Sequence, residues 1–185
     1  MTVDGSASCA YLALFAVALV VTLAATPAAG KVAWRLGAVD YPSGRRVNTR
    51  PTPRMGGIAV MLGLIAAFAG ALALSGPLGW EPADVFPPES GVSYLGVALS
   101  VLVMFLTGAI DDVCHLTPMN KFFWQAVAAC IAVASGVLIG DLISPIDDSL
   151  LDLGWVAYPV TVAYLVSFAN IINLIDGIDG LASGV

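Results

Sequence analysis

A chain of 185 residues with 59% hydrophobic and only 11% charged side chains is not a water-soluble domain, where about a quarter of residues are charged. Its formal charge is -6 and its mean hydropathy +0.92, and nucleic acid is not an expected partner. Cys9, Cys114 and Cys130 lie far apart and have neither disulfide nor metal-ligand spacing.

In chain order, five apolar stretches reach or approach the ~20 residues a helix needs to cross a bilayer. They run approximately over 9–26, 56–76, 92–110, 122–140 and 153–175. The fold class expected is all-α: a polytopic membrane helical bundle of five spans, with the start of a sixth at Leu181–Val185. Residues 1–185 read as one integral-membrane domain, without repeats and without a separate soluble part, and the chain is expected to continue beyond Val185. The first stretch follows Asp4 rather than a basic residue, so it reads as a retained span and not a signal peptide.

All seven Lys and Arg fall in two loops: Lys31, Arg35, Arg45, Arg46, Arg50 and Arg54 in the first, Lys121 in the third. Glu81, Asp84 and Glu89, and then Asp141, Asp147, Asp148 and Asp152, occupy the alternate loops. The positive-inside rule predicts an outside N-terminus and cytoplasmic first and third loops, in a cell (inner) membrane.

The first inner loop is rich in proline, which discourages regular structure. Its cations suit either anionic lipid headgroups or a functional role. At its end, Gly56 and Gly57 open the second span from the cytoplasmic side. Free N–H groups, the positive dipole end and Arg54 there make a candidate phosphate cradle, with close helix packing as the alternative use of the glycines.

The third span ends in Asp111-Asp112, at a helix C-terminus where the dipole disfavours negative charge. Such a pair asks for a compensating cation: Lys121 supplies one charge, a divalent metal more. The alternative is a solvated pair of loop acids. Asp111-Asp112-x-x-His115 is similar to the Asp-rich signature of prenyltransferases but lacks its final Asp, and His115 reads as a loop residue rather than a ligand.

The fifth stretch delivers a polar ladder, Asn170, Asn173, Asp176 and Asp179, punctuated by Gly177 and Gly180. A three-residue spacing places the first three on one helix face. The asparagines alone could bond to a neighbouring helix, but two acids flanked by glycines beside hydrocarbon point to function. Asp111, Asp112, Asp176 and Asp179 are expected at the same membrane surface. Hard oxygen ligands next to a phosphate site suit Mg²⁺, with Mn²⁺ as the alternative ion.

Three blocks together resemble the polyprenyl-phosphate N-acetylhexosamine-1-phosphate transferase superfamily, the MraY, WecA and TagO enzymes. They are Gly37-x-Val39-Asp40-x-Pro42 with Pro51-x-Pro53-Arg54-x-Gly56-Gly57; Asp111-Asp112 with Lys121-x-x-x-Gln125; and Asn170-x-x-Asn173-x-x-Asp176-Gly-Ile-Asp179-Gly-Leu-Ala. The short segment between Asp112 and Lys121 is more similar to the WecA/TagO branch, and Asn48 stands where many of these enzymes carry His.

The resemblance implies transfer of a sugar 1-phosphate from a UDP-N-acetylhexosamine, UDP-GlcNAc first, to polyprenyl phosphate, with release of UMP. It implies that Asp111 and Asp112 form the catalytic and metal region and that Lys121 holds phosphate. Asn173, Asp176 and Asp179 would line the nucleotide side, and Gly177 and Ile178 would back the uracil. The lipid bilayer and a second copy of the chain, as a homodimer, complete the partners. Because these enzymes carry a later His-bearing motif, the chain by itself is expected to be inactive. Two rival classes, an ion-coupled transporter and a noncatalytic membrane scaffold, remain open. Transporter sites favour the bilayer midplane rather than span ends, and a scaffold leaves the Asp clusters unexplained.

Overall fold

The computed structural model describes residues 5–42, 50–74, 91–143 and 149–175, with backbone only for 5–10, 74 and 173–175. They form two compact units, the first within residues 5–74 and the second within residues 91–175.

In the first unit, α1 spans Gly5–Leu36 and α2 spans Gly56–Leu74. The expectation that the first span ends near Thr26 is corrected, because the helix runs on through Pro27. Proline removes one backbone bond, which membrane helices tolerate, and the alanines around it favour helix. Lys31 and Arg35 therefore sit on α1 and not in a loop.

The helix stops at Gly37, whose φ of 74° is open to glycine at little cost. The Ala38 N–H donates to the Ala33 carbonyl at 2.9 Å, and both alanines are fully buried, so the chain closes in a Schellman turn. Despite its prolines the following loop forms a short antiparallel ribbon, β1 (Val39–Asp40) with β2 (Thr52–Pro53), pairing Val39 with Pro53 and Asp40 with Thr52. Helices α1 and α2 meet at Gly63. A Cβ there would lie 2.7 Å from the Ala18 carbonyl oxygen and collide with Thr22.

The second unit contains α3 (Tyr94–Cys114), α4 (Pro118–Ala134), a hairpin of β3 (Asp141–Ile143) and β4 (Leu150–Asp152), a 3-10 turn at Gly154–Val156, and α5 (Ala157–Ile175). Ser93 caps α3, and its N–H donates to the Ser135 carbonyl at the end of α4. Ser100 Oγ donates to the Ala128 carbonyl at 2.8 Å, and a side chain at Gly96 would strike Ser135, so α3 and α4 approach closely on small residues.

The fourth predicted span, 122–140, is also corrected. Its helix starts earlier, at Pro118, and ends at Ala134, with Gly136 at φ 94°. At 17 residues it covers about 26 Å of a ~30 Å core. The chain then continues extended beside α5, where Ile139 N–H donates to Thr161 Oγ1 at 2.9 Å while that hydroxyl donates to the Ala157 carbonyl at 2.7 Å. Non-helical backbone at membrane depth persists only where protein satisfies it, and Thr161, 1% exposed, does so here.

Among the described residues four helices are long and apolar enough to cross a membrane: Tyr11–Leu36, Gly56–Ala73, Tyr94–Cys114 and Gly154–Ile172. The buried apolar side chains are mostly alanines, while Leu95, Phe15, Leu12 and many other large side chains face outward. That inversion fits hydrocarbon as the solvent, since lipid tails are as apolar as leucine and only close backbone approach is gained at helix contacts. The chain is a polytopic helical membrane protein.

Candidate active site

The turn between α3 and α4 brings the predicted acids and cation together. His115 takes the left-handed conformation (φ 51°) that ends α3, with its N–H donating to the Asp111 carbonyl at 2.9 Å. Thr117 caps α4 and Pro118 occupies its first turn, where a missing N–H costs nothing. Only Leu116 separates these caps, so the end of α3 and the start of α4 are held side by side. Asp111 and Asp112 lie in the last turn of α3, and Lys121 in the first turn of α4.

Lys121 Nζ bonds Asp111 Oδ2 at 2.8 Å, and the Leu116 N–H donates to Asp111 Oδ1 at 3.1 Å. Both partners of the ion pair are about one-fifth exposed. The carboxylate that the helix dipole disfavours is thus held by a cation and a backbone donor. Lys121, expected as a phosphate ligand, is already engaged by Asp111.

One turn further along α4, Gln125 is 4% exposed, and its Oε1 accepts from Asn170 Nδ2 of α5 at 2.8 Å. Asn170 Nδ2 also donates to the Val166 carbonyl at 2.8 Å. For this member of the ladder the interhelical use of an asparagine is the one observed. Asn173 lies in the last turns of α5 with its side chain outside the described residues; Asp176, Gly177, Ile178 and Asp179 lie outside them altogether.

In the first unit, Gly56 and Gly57 start α2, and no atom lies within 4 Å of a Cβ built on either. Close helix packing therefore does not account for the pair among the described residues. Arg54 pairs with Asp40 at 3.4 Å across the β1–β2 ribbon, and its N–H donates to the Ala38 carbonyl at 3.0 Å.

Sequence reading did not find two contacts, Asp40–Arg54 and Gln125–Asn170. A signal for the second was present: Gln125 is a lone amide in an apolar span, four residues from Lys121 and so on the same helix face. The first depends on a ribbon that the prolines concealed.

Among the described residues no group of three or more His, Cys, Asp or Glu side chains could hold a metal. Adjacent Asp111 and Asp112 still offer hard oxygens of the kind Mg²⁺ takes in ones and twos beside substrate phosphates, so the donor set fits that ion.

The family model for glycosyl transferase family 4 matches residues 94–185, which carry the turn and the ladder. The chain is 34% identical over 175 residues to the Bacillus subtilis "Probable undecaprenyl-phosphate N-acetylglucosaminyl 1-phosphate transferase", covering 92% of this chain and 44% of that protein. It is 38% identical over 173 residues to the Mycobacterium tuberculosis decaprenyl-phosphate N-acetylglucosaminephosphotransferase, covering 91% and 40%. A Synechococcus phospho-N-acetylmuramoyl-pentapeptide-transferase is 34% identical over 146 residues, covering 72% and 35%. The chain thus spans about two fifths of the length of these curated relatives. No solved structure matches it significantly. Family match, relatives and motif blocks agree that the chain belongs to glycosyl transferase family 4, the polyprenyl-phosphate N-acetylhexosamine-1-phosphate transferase superfamily.

Proposed function

We propose that the protein carrying this chain transfers N-acetylhexosamine 1-phosphate, GlcNAc 1-phosphate first, from a UDP-sugar to polyprenyl phosphate and releases UMP, an initiating step of envelope glycan synthesis. The observation that carries the reading is the Asp111–Lys121 pair beside Asp112 at the α3–α4 turn. The named activities of the two N-acetylglucosamine-type relatives, which align over 91–92% of the chain, support the choice of sugar over the muramoyl-pentapeptide substrate.

In this reaction an oxygen of the lipid phosphate attacks the sugar-bearing phosphorus of the UDP-sugar. A P–O bond forms there as the bond to the UMP oxygen breaks, and UMP leaves with the electron pair. A phosphate monoester has its second pKa near 6, so the attacking oxygen is mostly ionised at neutral pH without a protein base. Asp111 fits this division of labour: both its oxygens already accept hydrogen bonds, so it holds Lys121 in place. Lys121 then neutralises charge on the phosphates, and the turn orients the reactants. Mg²⁺, held by Asp112 and Asp111 with substrate oxygens, would supply further charge neutralisation. On the first unit, the helix start at Gly56–Gly57 would offer its free N–H groups to a substrate phosphate.

The UDP-sugar specificity, the homodimer and the inner-membrane topology with a cytoplasmic reaction centre belong to the same proposal. Charge asymmetry in the second unit supports the topology: Lys121 marks one end, while Asp141 and Asp152 mark the hairpin at the other. Impermeant-thiol labelling of a cysteine at position 48 in intact cells, with none at position 86, would reverse that topology. For the activity, membranes containing the protein are given UMP and the GlcNAc-diphospho-polyprenol product. Formation of UDP-GlcNAc that requires added UMP is expected, and its absence from folded protein contradicts the reading.

A further inference from the structure

We propose that Gln125 is a positioning residue: through Asn170 it fixes the register of α5 against α4, one turn from the Lys121–Asp111 pair. The inference rests on the transferase reading for its consequence, and on the geometry alone for the contact.

Three observations lead to it. Gln125 is 4% exposed inside an apolar helix, so an unbonded amide there would be costly. Its partner is oriented without ambiguity. Asn170 Nδ2 donates to the Val166 carbonyl, a group that can only accept, so the second Nδ2 hydrogen must find an oxygen on Gln125.

The third observation is an open apolar groove beside the contact. It has a volume of about 430 Å³ and is lined by Phe122, Ala126, Pro159, Val162, Ala163 and Val166, with Ser167 at its edge. Close-packed interiors resist sliding because side chains interdigitate; beside a groove of this size that constraint is weaker, and the amide pair holds the register at this end of α5, as the Ile139–Thr161 bond does at the other. Gln125 follows Lys121 by four residues on one face of α4, and Asn170 precedes Asn173 by three on α5. A slip of α5 would therefore displace the polar end of α5 relative to Lys121. No contact between Gln125 and substrate is implied.

The test uses the whole gene product in nanodiscs, with Cys9, Cys114 and Cys130 replaced. Spin labels are placed at Met119→Cys and Ile171→Cys, both exposed positions on α4 and α5. Gln125→Met keeps the volume and removes the acceptor, while Gln125→Glu keeps an oxygen there. Gln125→Met is expected to widen the label distance distribution and to lower kcat about tenfold or more, since small misplacements of a reacting group are costly. KM for both substrates stays within about twofold, the signature of a group that does not bind substrate. Gln125→Glu returns the distance distribution and kcat toward wild type. An unchanged distribution in Gln125→Met, a widened one with unchanged kcat, or a Gln125→Glu protein that behaves like Gln125→Met would each overturn the proposal. If the unmutated protein shows no UMP-dependent exchange, the transferase reading fails instead, and the label distances decide the register lock by themselves.

Discussion

The two units hold their helices together by different means. In the first, α1 and α2 close on Gly63, where the Ala18 carbonyl and Thr22 leave no room for a further carbon. In the second, bonds with defined donors and acceptors cross between helices: Ser100 to the Ala128 carbonyl, Lys121 to Asp111, Asn170 to Gln125. Steric closure sets how near two helices come. Polar bonds also set which residue faces which, and that is what a reaction centre at a helix end requires. The difference teaches that, among the described residues, the unit holding the Asp111–Lys121 turn is the one whose register is specified by hydrogen bonding.

Breaking the polar side of the comparison at its most consequential point should give the largest effect. Lys121→Met, in the whole gene product with matched protein levels, should lower transferase turnover by about 10²–10³-fold, the usual consequence of losing one charge-stabilising donor. Turnover within a few-fold of wild type would place the centre elsewhere.

The steric side is broken by Gly63→Val, which should destabilise the first unit by about 1–3 kcal/mol through overpacking. Gly57→Ala, with open space around it, should cost no more than the change of backbone freedom. Denaturation in mixed micelles compares the two, and equal losses would show that Gly63 is not the contact. Ser100→Ala removes one buried interhelical bond and should cost about 0.6 kcal/mol, the average for such bonds in a membrane. The smallest effect expected is a gain. His115→Gly relieves the left-handed cap (φ 51°), offset by the flexibility glycine adds to the unfolded chain, for a net change below about 1 kcal/mol. Activity retained in that variant would confirm that His115 ends a helix rather than binding a ligand.

Much of this was legible in the sequence because the strongest signals are local. Uninterrupted apolar runs marked the spans, and an acid pair at a helix C-terminus demanded a cation, which Lys121 supplies ten residues later. Boundaries were less legible. The first apolar run is bounded at residue 26, yet α1 continues through Pro27, and the fourth apolar run conceals a helix that ends at Ala134, where Thr161, distant in sequence, accepts from the non-helical backbone that follows. Asn170 carried two readings that spacing could not separate. Its bond to Gln125 across 45 residues does separate them, since tertiary contacts between single amides leave no periodic trace.

The central claim is that the Asp111-Asp112–Lys121 turn is the reaction centre, and the most direct measurement of it compares two conservative substitutions in the same membranes. Asp112→Asn alters the turn, whereas Asp84→Asn alters an acid of the segment before α3. Initial rates are measured across a Mg²⁺ titration with protein levels matched. The account predicts that Asp112→Asn lowers turnover by about 10²-fold and raises the Mg²⁺ concentration needed for half-maximal rate, while Asp84→Asn stays within about twofold of wild type. Equal turnover and equal Mg²⁺ requirement in the two variants would contradict it.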